Sequence, residues 1–205
     1  ALPMRALDEY RHHPASPAEL ASYAMAALAV APELADLLAQ LGAGAGTDDE
    51  LGKRLRAEFS ILRDSLEETL RMLAGSGARR IDLIAHSMGN WVALETLRQL
   101  AISGNRNLGG KLGDVVLAAP DVDLDVFRSQ MARYGKPDKP FYVMVSGDDR
   151  ALGVSRLIAG NRPRLGDDYA EAEQIAEMGL VVVDVTSLSA GDSLNHTKFA
   201  DNPTL

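Results

Sequence analysis

The stretch Ile84-Ala85-His86-Ser87-Met88-Gly89-Asn90-Trp91 carries the residue types of a nucleophile elbow. A G-x-S-x-G pattern has physical meaning where a strand turns sharply into a helix. The bend is tight enough that the positions two before and two after the serine must be small, and it lifts the serine hydroxyl out of the turn. Ala85 and Gly89 fill those positions. Alanine departs from glycine at the first and still meets the steric demand. The backbone N–H of Met88 and the positive end of the following helix would face charge developing on a carbonyl attacked by Ser87. A bare serine-x-glycine also suits a helix start at which Ser87 only caps. A strand before and a helix after favour the nucleophile.

A serine nucleophile needs a base, and the base needs an orienting carboxylate. Of the four histidines, His12 and His13 lie in an Arg/Pro-rich start and read as surface residues. His86, beside the nucleophile, points away from it and reads as a packing and locally hydrogen-bonded residue. His196 lies in Gly191-Asp192-Ser193-Leu194-Asn195-His196-Thr197, after the last apolar run. A base belongs there when the partners follow the chain order serine, acid, histidine. The acid candidates are Asp148 and Asp149 after the third apolar run and Asp121 after the second. Chain order favours the Asp148/Asp149 pair. Asp121 or Asp123 reads as a cap for the helix after Pro120, and one of Asp148 and Asp149 could cap a short helix at Ala151. Arg150 is expected to pair with a neighbouring carboxylate.

The elements that must hold these residues alternate. Short apolar runs at 81–85, 114–119, 141–146 and 180–185 predict strands; 90–102, 123–133, 151–159 and 168–178 predict helices. Strands this apolar on both faces, separated by helices, predict a parallel sheet covered on both sides, a three-layer α/β/α sandwich. Before residue 75 the pattern is helical. Leu28, Leu34, Leu37, Leu38 and Leu41 recur at near-helical spacing, and 42–46 is a Gly/Ala break. Thr47 with Glu50 forms a capping-box pattern for a helix to about residue 74, with Leu51, Leu55, Phe59, Leu62, Leu66, Leu70 and Leu73 on one face. The chain therefore reads as a single domain over 1–205, with a helical segment over 1–75 and a core over 79–199.

Composition narrows the chemistry. The chain has 205 residues and a net charge of −8 without a basic block, which argues against a nucleic-acid grip. With no cysteine, disulfides, thiolate metal sites and a cysteine nucleophile are excluded. No His/Asp cluster has metal-ligand spacing, so no metal is expected, and no run reaches the ~18 apolar residues of a membrane span. Compartment and oligomeric state are not fixed by these features.

Four blocks in order resemble the α/β-hydrolase superfamily, and within it the bacterial branch of alpha/beta hydrolases of unknown function, related to esterases and lipases. They are IDLIAHSMGNWVALETL at 81–97, VVLAAPDVDLDVF at 115–127, VMVSGDDRALGVSRLIAG with PRLGD at 143–167, and VVDVTSL with NHTKF at 182–199. The resemblance covers roughly 59–199. It implies Ser87 as nucleophile, His196 as base and Asp149, rather than Asp148, as acid. It further implies one oxyanion donor at Met88 N–H, a small-molecule carboxylic ester as substrate, and no metal or organic cofactor. An acyltransferase with the same triad, or a non-catalytic interaction module on the same scaffold, is the alternative. The resemblance also implies a second oxyanion donor from a loop after an early strand. No His-Gly pair occurs in the sequence, and only the strands of the second half of such a fold are legible. The chain reads as a piece of a longer hydrolase that lacks its first strands.

Overall fold

The computed structural model describes residues 49–158, 161–167, 171–189 and 191–201. His12, His13, the leucines at 28–41 and Thr47 lie outside them. The chain divides into two compact units, 1–79 and 80–205, a few residues beyond the composition change near 75.

In the first unit, helix α1 (Asp49–Gly75) runs one residue past its expected end. Phe59, Leu62, Leu66 and Leu70 are buried along one face, with Ser65 and Thr69 among them. The Thr69 hydroxyl donates to the Ser65 carbonyl at 2.8 Å, so a buried polar group on the apolar stripe is satisfied within the helix.

The second unit runs β1 (Ile81–His86), α2 (Gly89–Ile102), β2 (Leu112–Ala118), α3 (Leu124–Tyr134), β3 (Phe141–Val145), α4 (Arg150–Ile158), α5 (Ala172–Glu177), β4 (Leu180–Asp184) and α6 (Lys198–Asp201). Its four strands are all parallel in the order β1-β2-β3-β4, with helices on either side. Because the strands all run in one direction, each leaves the sheet at the same end, and the segments after β1, β3 and β4 share that end.

One sheet face supplies Ile81, Ala85, Val115, Leu117, Val143 and Val145, all buried. Helix α2 packs on β1 and on α3 and adds Leu94, Leu97 and Leu100, while α3 adds Phe127 and Met131. Cover is uneven on the opposite face. Register aligns Ile84 with Val116, Val116 with Tyr142 and Tyr142 with Val181. In that row Ile84 is 65% exposed, Tyr142 36% and Val181 41%, so complete two-sided burial does not hold there.

Candidate active site

Ser87 stands between β1 and α2 with φ 53°, in the left-handed region that costs a side-chain-bearing residue energy unless its surroundings enforce it. Those surroundings are hydrogen bonds. The Ser87 N–H donates to Ala118 C=O at 3.1 Å, and its own C=O accepts from the N–H groups of Asn90 (3.1 Å) and Asp121 (3.2 Å). The buried Asn90 side chain bridges the same two carbonyls, its Nδ2 donating to Ser87 O at 2.8 Å and to Ala118 O at 3.0 Å. The bend is thus bolted to the end of β2. Among the described residues Ser87 Oγ has no hydrogen-bond partner, and the Met88 N–H donates to nothing. Asn90 was not singled out from sequence, where an asparagine at a helix start signals nothing beyond capping.

Asp149 and His196 come together across two loops. Asp149 Oδ2 lies 2.7 Å from His196 Nδ1, and the acid side chain is fully buried. Its other oxygen, Oδ1, accepts the Leu152 N–H at 3.0 Å. One carboxylate therefore caps the first turn of α4 and orients an imidazole. Burial pushes the His196 pKa down, but the Asp149 hydrogen bond, with the charges of Asp149, Asp192 and Asp121, outweighs it, and the net shift is upward.

The other carboxylates are occupied elsewhere. Asp148 Oδ1 accepts from Ser146 Oγ at 2.6 Å and Lys198 Nζ at 2.5 Å, and its Oδ2 accepts from Asn195 Nδ2 at 2.9 Å. Asp121 Oδ1 accepts from Ser155 Oγ at 2.8 Å and lies 3.1 Å from Arg164 Nε. Asp123, not Asp121, caps α3, taking the N–H groups of Asp125 and Val126. The expectation of a carboxylate partner for Arg150 fails among the described residues. Its N–H donates to Leu194 O at 2.9 Å and its Nη1 to Ser193 O at 3.4 Å, because the loop at 191–196 offers carbonyls there.

His86 sits behind His196. Its Nε2 is 3.1 Å from His196 O, and its ring lies 4.5 Å from the His196 ring and 4.7 Å from Phe199. Burial first, and then the neighbouring His196, push its pKa down. Asp192 shapes the same loop from the other side. Its carboxylate takes the N–H groups of Leu194, His196 and Thr197 and the Thr197 hydroxyl, and this set of donors, the hydroxyl foremost, pulls its pKa down to about 2. An aspartate two residues before Leu194 is an Asx-turn signal, and it could have been read from the sequence.

Segment 161–167 braces the elbow from outside. The Leu165 N–H donates to Val122 O at 2.8 Å, the Gly166 N–H to Pro120 O at 3.0 Å and the Ser146 N–H to Gly166 O at 3.1 Å. Gly166 is required by closeness, since a Cβ there would lie 2.8 Å from the Pro120 backbone nitrogen.

Among the described residues no group of three or more His, Asp or Glu side chains could hold a metal, and no helix is long and apolar enough to cross a membrane. None of the described residues before β1 is in a strand, so the loop expected to give a second oxyanion donor is not among them.

A parallel sheet with a left-handed serine after one strand, and a buried aspartate facing a histidine after two later ones, is the arrangement of the α/β hydrolases. Residues 47–205 match the family described as alpha/beta hydrolase of unknown function (DUF900), and the chain belongs to that family. No curated protein and no solved structure matches the chain.

Proposed function

We propose that the protein is a serine hydrolase of carboxylic esters, with Ser87 as nucleophile, His196 as base and Asp149 as orienting acid. The observation that carries this reading is the 2.7 Å contact between Asp149 Oδ2 and His196 Nδ1 at the end of the sheet where Ser87 also follows its strand. A buried carboxylate fixed on Nδ1 leaves Nε2 as the imidazole's acceptor for the serine proton. Ser87 Oγ attacks the ester carbonyl as its proton passes to His196 Nε2. The tetrahedral oxyanion forms beside the Met88 N–H, which donates to no other described residue. Collapse expels the alcohol, which takes the proton from His196, and leaves an acyl-Ser87. Water, deprotonated by His196, then releases the acid and restores Ser87.

A fluorophosphonate probe should label the protein at Ser87, and p-nitrophenyl acetate should be turned over; Ser87→Ala should lose both. Absence of labelling and turnover in the wild-type protein, or labelling that persists in Ser87→Ala, would overturn the assignment. The first result would leave a binding module on a hydrolase scaffold.

A further inference from the structure

Lys198 is a charged residue that the proposed mechanism leaves unused, yet it is only 2% exposed. A buried ammonium is costly unless it is paired and hydrogen-bonded, so its partners indicate what it is for. Nζ donates to Asp148 Oδ1 at 2.5 Å and to Thr186 O at 2.7 Å. Each partner lies on a different loop. Asp148 directly precedes Asp149 after β3, Thr186 follows β4, and Lys198 lies two residues beyond His196. The stitching continues around this centre. Asn195 Nδ2 donates to Asp148 Oδ2 at 2.9 Å and lies 3.3 Å from the Asp148 carbonyl, while the Gly147 N–H donates to Thr186 Oγ1 at 2.9 Å.

We propose that Lys198, Asp148 and Asn195 are positioning residues, a clamp that sets the separation and angle of the Asp149 carboxylate and the His196 imidazole. Asp149 and His196 stand on separate loops, and one hydrogen bond cannot fix both backbones. Asp192 orders the histidine loop internally and Ser146 O holds the Asp149 N–H at 3.2 Å, while Arg150 ties the two loops on one side, its N–H donating to Leu194 O at 2.9 Å and its Nη1 to Ser193 O at 3.4 Å. The clamp ties them on the other side, through the residue before the acid and residues on either side of the histidine. Its charge is placed asymmetrically. The Lys198 side chain is 3% exposed and that of Asp148 44%, so the ammonium has no solvent alternative to the carboxylate.

The clamp rests on the reading of Asp149 and His196 as acid and base, and its test separates the two. The double variant Asp148→Asn/Lys198→Met removes one charge of each sign, so net charge near His196 is unchanged. His196 is titrated by NMR of its imidazole in wild type and variant, alongside kcat and KM for p-nitrophenyl acetate. The expected result is a His196 pKa that falls toward the ordinary histidine value as its bond to Asp149 loosens. A loss in kcat of about 10²-fold, the scale of an ångström of misplacement, should accompany it with little change in KM. A folded double variant that titrates as wild type overturns the clamp. If circular dichroism shows the double variant unfolded, Asn195→Gly decides by the same two readouts. Glycine suits the φ of 59° at that position, and wild-type values of pKa and kcat there overturn the clamp. A shifted His196 pKa in a protein that turns over no ester would keep the clamp and discard the esterase reading; turnover untouched by the variants would do the reverse.

Discussion

At the residue scale, pH sets stability and the proposed activity against each other. The His196 pKa is raised in the folded state, so the Asp149–His196 contact contributes its full stability below the ordinary histidine value of 6.5 and loses it as pH rises through the folded value. A general base must be neutral, so activity grows over the range in which that stability is lost. The expected kcat/KM profile for an ester therefore has an acid limb above pH 6.5. Asp149→Asn should move that limb to lower pH and reduce kcat by ~10⁴-fold, the cost of losing the orienting carboxylate. An acid limb that stays in place in Asp149→Asn would mean that another group titrates. His86 adds no second limb of this kind, because burial and the adjacent imidazole depress its pKa and keep it neutral where His196 titrates.

At the scale of elements, the brace over the elbow makes a prediction about packing. Gly166→Ala puts a Cβ 2.8 Å from both the Pro120 nitrogen and Leu152 Cδ1. The side chain can turn aside, but the backbone of Pro120 cannot without moving Asp121, whose N–H holds Ser87 C=O. Overpacking of this kind costs about 1–3 kcal/mol, measurable by urea denaturation, and the rate of fluorophosphonate labelling should fall with it. Labelling at the wild-type rate would show that the brace does not govern the elbow. The order of elements was legible in the sequence, with the strands displaced by at most two residues at either end, because apolar runs of five or six residues, three of them bounded by glycine or proline, leave little choice. Helix α6 escaped notice because four residues are too few to show a period. The choice between two adjacent aspartates was out of reach of spacing. Asp148 turns toward Lys198 and Asp149 toward His196, and both partners lie nearly fifty residues away in the chain. Asn90 was missed for the same reason, since what matters is its contact with Ala118 on the neighbouring strand.

At the scale of the whole molecule, charge and acid stability separate. With 29 acidic and 21 basic residues the chain carries −8 at pH 7 and reaches neutrality near pH 5.0, where loss of mutual repulsion favours association. The fold has different limits. The Lys198 and Ser146 hydrogen bonds lower the Asp148 pKa, the Arg80 hydrogen bond lowers that of Asp82, the Thr186 hydroxyl and N–H lower that of Asp184, and the Thr197 hydroxyl with three N–H groups brings Asp192 to about 2. A group with a lowered folded pKa contributes stability above its unfolded value, 3.8 for aspartate, and loses it as pH falls through the folded one. The two histidines oppose each other in the range above, since His86 loses stability on acidification while His196 gains it. Light scattering should therefore rise toward pH 5.0 with the far-UV dichroism and Tm nearly unchanged, and Tm should drop steeply only below pH 4.5, where Glu95, whose folded pKa is also lowered, and then the aspartates lose their contributions. A Tm that fell together with solubility between pH 6 and 5 would place the acid-sensitive group among the histidines. His86, half-buried against His196, would then be the residue to replace first, with glutamine keeping the donor to His196 O and removing the titration.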